Sequence, residues 1–173
     1  MNITLTASRL EVVDWMRSRS LHQIEVTAMP MVGIYIPDGL LARDGSAALA
    51  QDVALAVLRH EGSPLRSPYL ENAAVYVHET PVGAVATAAG PAPGVVRVQV
   101  MTPPGALSRE SQRNLVAEVT RMIAEAVGDP AVVGRTWVTL TEAAEGGWGV
   151  AGVALGRAEF AAARAATEGG APA

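Results

Sequence analysis

Lysine and cysteine are both missing: the chain of 173 residues carries 13 basic side chains, all of them arginine. Without lysine there is no Schiff base, and without cysteine no thiol nucleophile, disulfide framework or Cys-ligated zinc. The three histidines, His22, His60 and His78, are scattered and lack metal-ligand spacing, so no metal site is expected. Charge is sparse, at 17% of residues and a formal net of −4. With no arginine-rich run, neither nucleic acid nor an anionic membrane is an expected partner. Long apolar runs are absent too, broken everywhere by Gly, Pro or charge, so no membrane span or signal-peptide core is expected. These absences leave a soluble cytoplasmic protein as the expectation. Half the residues are hydrophobic, enough for one domain or two small repeats sharing a core.

What is present is one pattern written twice. The first copy opens with Met31-Val-Gly-Ile-Tyr-Ile36, turns at Pro37-Asp38-Gly39, and continues into a helix with Leu49, Val53 and Val57 that stops at Gly62. The second opens with Arg97-Val-Gln-Val100, turns at Pro103-Pro104-Gly105, and continues into a helix with Leu115, Val119 and Ile123 that stops at Gly128. Gly39 matches Gly105, Arg43 matches Arg109 and Gly62 matches Gly128, each pair 66 positions apart. A second strand follows in each copy, Ala73-Ala-Val-Tyr-Val-His-Glu79 and Thr136-Trp-Val-Thr-Leu-Thr-Glu142. Strand, helix, parallel strand is the βαβ unit, expected to be right-handed. Ser108 is placed to cap the second helix, with Glu110 in its first turn.

The expected fold is α/β (α+β): two fused βαβ repeats forming a four-stranded sheet with two helices on one face. The units expected are an extension 1–29, a first repeat 30–90, a second repeat 91–168 with a C-terminal hairpin and short helix, and a disordered tail 169–173. Gly83 to Gly94, rich in Ala, Gly and Pro, reads as a linker. The uncovered sheet face is expected to be apolar, built from Val75, Val77, Val96, Val98 and Val100, and therefore to need a partner copy.

Arg135-Thr-Trp-Val-Thr-Leu-Thr-Glu142 with Gly146-Gly147-Trp148-Gly149-Val150-Ala151-Gly152 resembles the second strand and hairpin of the tautomerase superfamily, whose smallest members include 4-oxalocrotonate tautomerase. Met29-Pro30-Met31-Val32 followed by Gly39 resembles its start, and Val77-His78-Glu79 with Pro81 and Gly83 its strand end. The resemblance runs from about Pro30 to Phe160. It implies a β-α-β tautomerase-like fold, a homotrimer of fused chains, no cofactor, and an N-terminal proline as the base. A free α-amine has a pKa near ~8, and burial and nearby cations lower it further, which suits a general base near neutrality.

Pro30 is not the first residue here; 29 residues precede it. As an internal residue its nitrogen is a tertiary amide with no basicity. Met29 directly before it, and a purine-rich coding possibility in Glu25-Val26-Thr27, make Met29 the expected true start, in a GC-rich bacterial genome. The competing reading is a genuine extension, with Leu10 to Trp15 as a short amphipathic helix, on a non-catalytic homologue.

The resemblance also implies arginines for a substrate carboxylate, after the turn glycine and inside the second strand. Those places hold Leu40 and Ala106, and Ala74 and Trp137. Arg135, at the start of the last long strand, is the first replacement expected, against a salt-bridge role. Arg97 follows Val96, the counterpart of Pro30, and either faces a site across the trimer or pairs with a carboxylate in the sheet. Arg43 and Arg109 read as surface residues at helix starts, and Arg66 lies in a loop. Trp148 matches a family aromatic that walls the proline pocket, against simple packing, and Trp137 fills the place of an arginine. Tyr35 and Tyr76 read as strand packing. His78 is a proton-relay candidate against a turn-stabilising hydrogen bond. The expected activity is enol–keto interconversion of a small carboxylate-bearing substrate; the alternative is a trimeric binding or scaffold protein.

Overall fold

A computed structural model of the chain describes residues 29–42, 45–150 and 152–169. The expectations for the extension before Met29, for Arg43 and for the tail at 170–173 lie outside the described residues. β1 (Met31–Pro37) leads to α1 (Gly45–Glu61), a single turn α2 (Tyr69–Asn72) and β2 (Ala74–Thr80). A small hairpin follows, β3 (Ala86–Thr87) and β4 (Gly90–Pro91). The second unit is β5 (Val96–Thr102), α3 (Arg109–Val127), a 3-10 segment Pro130–Arg135 and β6 (Thr136–Glu142). A second hairpin, β7 (Trp148–Val150) and β8 (Val153–Leu155), precedes α4 (Arg157–Gly169).

The four long strands form one sheet in the order β2-β1-β5-β6. β1 is parallel to β2 and β5 to β6, whereas β1 and β5 run antiparallel. Gly33 lies opposite Gln99, its own counterpart one repeat later. A local two-fold axis therefore passes between these residues and exchanges the two βαβ units. The turns obey it: Leu40 N–H donates to Pro37 O at 3.1 Å, and Ala106 N–H to Pro103 O at 3.2 Å. Both helices end on a left-handed glycine, Gly62 and Gly128, each at φ 70°, the conformation glycine adopts without a Cβ penalty. Ser108 caps α3 by accepting from Ser111 N–H at 3.0 Å.

Both long helices cover one face of the sheet. Val32, Ile34 and Ile36 of β1 and Val96, Val98 and Val100 of β5 are buried with Leu49, Val53, Val57, Leu115, Val119 and Ile123. Each such side chain contributes about 1.5–3 kcal/mol by leaving water, so this layer dominates the fold. Val75, Val77, Val138 and Leu140 pack against it from the outer strands. The assignment of faces expected from the sequence is therefore reversed: the valines face the helices. Because successive side chains alternate sides, the uncovered face carries Met31, Gly33 and Tyr35, Arg97, Gln99 and Met101, and the aromatics Tyr76 and Trp137. It is a mixed aromatic and polar surface rather than an aliphatic one.

The expected linker at Gly83 to Gly94 is also structured. Ala92 N–H donates to Val85 O at 2.9 Å beside the β3–β4 pairing. Val85 and Ala92 stand where Trp148 and Leu155 stand in the β7–β8 hairpin, 63 positions later. Each repeat thus carries its own hairpin.

Candidate active site

Pro30 is buried, immediately before β1, and its carbonyl accepts from Ala74 N–H at 3.1 Å. Continuing the β1–β5 register one step past Met31–Met101 places it opposite Thr102, whose partner on β6 is Glu142. The amine candidate thus lies where β1 begins and β5 and β6 end. Over this end the chain folds back: Met29, Trp148, Leu155 and Phe160 form a second apolar cluster, none more than 9% exposed. Trp148 comes from β7 and Phe160 from α4, so the C-terminal segment of the second repeat packs over Met29, directly before the first repeat. Met101, Val150 and Val153 complete the lining.

Polar groups gather at the rim. Glu142 accepts from Gly105 N–H at 3.0 Å, Glu145 from Arg157 N–H at 2.9 Å, and Glu159 from Gly156 N–H at 2.8 Å. The Gly156 amide holds the Glu159 carboxyl below its ordinary value. Each carboxylate is thus turned toward the backbone. Arg157, at the start of α4, lies over Gly105: a methyl on that glycine would sit 2.9 Å from Nη1. Arg157 was missed by sequence reasoning. Its place depends on how the β7–β8 hairpin returns the chain, and no spacing encodes that.

The other candidates lie elsewhere. Arg135 precedes Thr136, which pairs with Val96, at the opposite end of the sheet; six strand residues from Pro30 span ~20 Å. Its Nε donates to Gly94 O at 2.8 Å and its Nη2 to Asp129 Oδ2 at 2.8 Å. The Ala131 N–H, with Arg135 second, keeps the Asp129 carboxyl below its usual value. Arg97, Trp137 and His78 form one row across the uncovered face with Tyr35, through the pairs His78–Tyr35, Tyr35–Arg97 and Arg97–Trp137. His78 stacks on Tyr35 at 4.7 Å between centroids, and the Arg97 guanidinium lies 5.1 Å from the same ring. Arg97 donates to Gln99 Oε1 at 2.6 Å; among the described residues it makes no ion pair with a carboxylate. Apart from Arg135, the sequence candidates thus fall into two groups: Pro30 and Trp148 near the start of β1, where Trp148 packs with Met29, and Arg97, Trp137 and His78 in the row on the uncovered face.

Among the described residues no three His, Asp or Glu side chains converge as metal ligands, and no helix is long and apolar enough to cross a membrane. An open groove of about 620 Å³ runs between α3 and the 3-10 segment, past Ala124, Gly128, Pro130 and Val133. It lies at the Val96 end, away from Pro30.

Residues 95–158 match the family model Tautomerase, described as tautomerase enzyme. No curated protein matches the chain. Among solved structures the chain is similar to Pt0534 inactivated by 2-oxo-3-pentynoate, with TM-score 0.62 and 23% identity over 74% of this chain and 98% of that one. It is similar to a wild-type fused 4-OT asymmetric trimer, F6, with TM-score 0.61 and 20% identity over 79% of this chain and 98% of that one. A third is N1, a member of the cis-3-chloroacrylic acid dehalogenase family, with TM-score 0.61 and 17% identity over 82% and 92%. The likeness is one of fold. The resemblance read from the sequence, a fused two-repeat tautomerase-like chain, agrees with both comparisons.

Proposed function

We propose that a chain with this fold and a tautomerase-matched second repeat is a cofactor-independent tautomerase that uses Pro30 as its base. In a form beginning at Pro30, the nitrogen is a secondary amine with a pKa near or below ~8, lowered by the apolar roof. It takes the hydroxyl proton of a small enol and returns a proton to the neighbouring carbon, giving the keto form. The substrate class is a 2-oxo acid or its enol, the group that also carries the reactive ketone of 2-oxo-3-pentynoate. Trp148 walls the pocket. The uncovered face, with Trp137, Tyr76 and the Arg97 row, is the surface by which three copies associate, and Arg97, Arg135 or His78 of a neighbouring copy reach a pocket only in that assembly.

One observation carries this reading: the Met29 side chain fills the apolar space beside Pro30, among Trp148, Leu155 and Phe160. Removing Met29 frees the amine and vacates that apolar space in one step. The same observation supports the second reading. With Met29 and the preceding residues in place the nitrogen is an amide, the space is filled, and the protein is a non-catalytic binding or scaffold protein.

The test is the intact mass of the protein from its native host, followed by phenylenolpyruvate ketonisation. A mass for residues 30–173, with activity lost in Pro30→Ala, is the expected result. A second check is treatment with 2-oxo-3-pentynoate, an alkynyl ketone to which an amine adds; the adduct is expected on Pro30. A mass retaining the extension, with no ketonisation, supports the scaffold.

A further inference from the structure

We infer that Arg157 is the residue that binds the substrate's carboxylate, an inference that takes its substrate class from the function proposed above. Three observations place it. Arg157 and Phe160 are three positions apart on α4, hence on one helix face, and Phe160 is packed in the cluster that holds Met29. Gly105, over which the guanidinium lies, is three residues past Thr102, the neighbour of Pro30 in the sheet. Among the described residues, no carboxylate forms an ion pair with Arg157, whereas Arg59, Arg121 and Arg135 are all paired.

The surroundings explain why this cation stays available. Around it in the fold, Glu142, Glu145 and Glu159 each accept a backbone N–H, from Gly105, Arg157 and Gly156. Glu145 bonds the Arg157 amide, not its side chain, so the helix start is fixed without use of the guanidinium. Gly105 leaves the space that the guanidinium fills. Its repeat counterpart Gly39 has the same left-handed backbone, φ 77° against 73°, yet among the described residues nothing lies within 4 Å of where its Cβ would be. Among the described residues, a cation lies over the Gly105 turn and not over the Gly39 turn. A planar guanidinium that pairs with no carboxylate among the described residues, beside an apolar cluster, binds a carboxylate in bidentate fashion.

The experiment is equilibrium binding by titration calorimetry, on the protein as its native host produces it, of 2-oxopentanoate and of the uncharged 2-pentanone. Arg157→Gln is expected to weaken the acid at least tenfold and leave the ketone within twofold, with Arg157→Lys between wild type and Arg157→Gln. Acid binding unchanged in Arg157→Gln, equal weakening of both ligands, or no acid binding by the wild type would overturn the inference. Circular dichroism of each variant confirms the fold, and the Lys variant keeps the charge if Gln disturbs it. Arg157-dependent acid binding without ketonisation would overturn the tautomerase reading and leave Arg157 as an anion-binding residue.

Discussion

The two ends of the sheet are related by the local two-fold axis, yet they are finished differently. At one end Met29, the residue before Pro30, packs with Trp148, Leu155 and Phe160, and the Arg157 guanidinium lies over Gly105. At the other, the counterpart of Pro30 is Val96, fully buried in the main core, and the counterpart of Trp148 is Val85, in a hairpin without a following helix. The Val96 end is closed by Arg135, which ties Gly94 to Asp129. Equal backbones thus support two differently finished ends, one roofed by an apolar cluster and one closed by an ion pair. What differs is a handful of side chains and one added helix.

The sharpest way to break this comparison is at the paired residues themselves. Pro30→Ala in the processed protein is expected to lower ketonisation by about 10²-fold or more, measured as kcat/KM. Val96→Ala is expected to leave ketonisation within twofold and cost about 1–3 kcal/mol of stability, read by urea unfolding; a matching loss of rate would mean the ends are not distinct. Next come the turn glycines. Both Gly39→Ala and Gly105→Ala meet a left-handed backbone and lose roughly 1–2 kcal/mol, but only Gly105→Ala is expected to weaken acid binding as well. Equal effects on binding would remove Arg157 from the picture.

Smaller effects sharpen the view of the shared helix layer. Ser108→Ala removes the α3 cap and is expected to cost about 1 kcal/mol, visible as a lower denaturation midpoint. Glu118 of α3 lies 2.8 Å from His60 Nε2 and 2.7 Å from Arg59 Nη2, both on α1. The His60 hydrogen bond foremost, then Arg59, holds its carboxyl below the ordinary value of 4.5. A lowered folded-state pKa stabilises the protein fully above that value and is lost as pH falls through the folded one. Glu118→Gln is therefore expected to cost under about 1 kcal/mol at neutral pH and nothing in acid, by denaturation at each pH.

The repeat made most of this fold legible in the sequence. The glycines at 39, 62, 105 and 128 keep constant spacing because turn and helix stop both require a left-handed residue, and the apolar positions of α1 and α3 follow helical period. Alternation in a strand marks two faces but not which one the helices cover; Val98 and Tyr35 are equally plausible inward residues until the helices are placed. The β3–β4 hairpin was hidden because Ala-Thr and Gly-Pro carry no strand signal, and it is held by pairing alone. Pro30 and Trp148 could be singled out because resemblance fixes them. Arg157 could not, since its position is decided by packing between α4 and a turn some fifty residues earlier.

The antiparallel join of β1 and β5 has an evolutionary consequence. In a self-associating pair of identical chains, every mutation strikes both copies, so neither surface can specialise alone. Joining the copies in one polypeptide removes that coupling: a proline can become valine in one place and persist in the other. It also guarantees stoichiometry, since Pro30 belongs to one half and Trp148, Leu155 and Phe160 to the other. Neither half is a smaller enzyme in reserve; expressed separately, they are expected to restore a pocket only on reassociation.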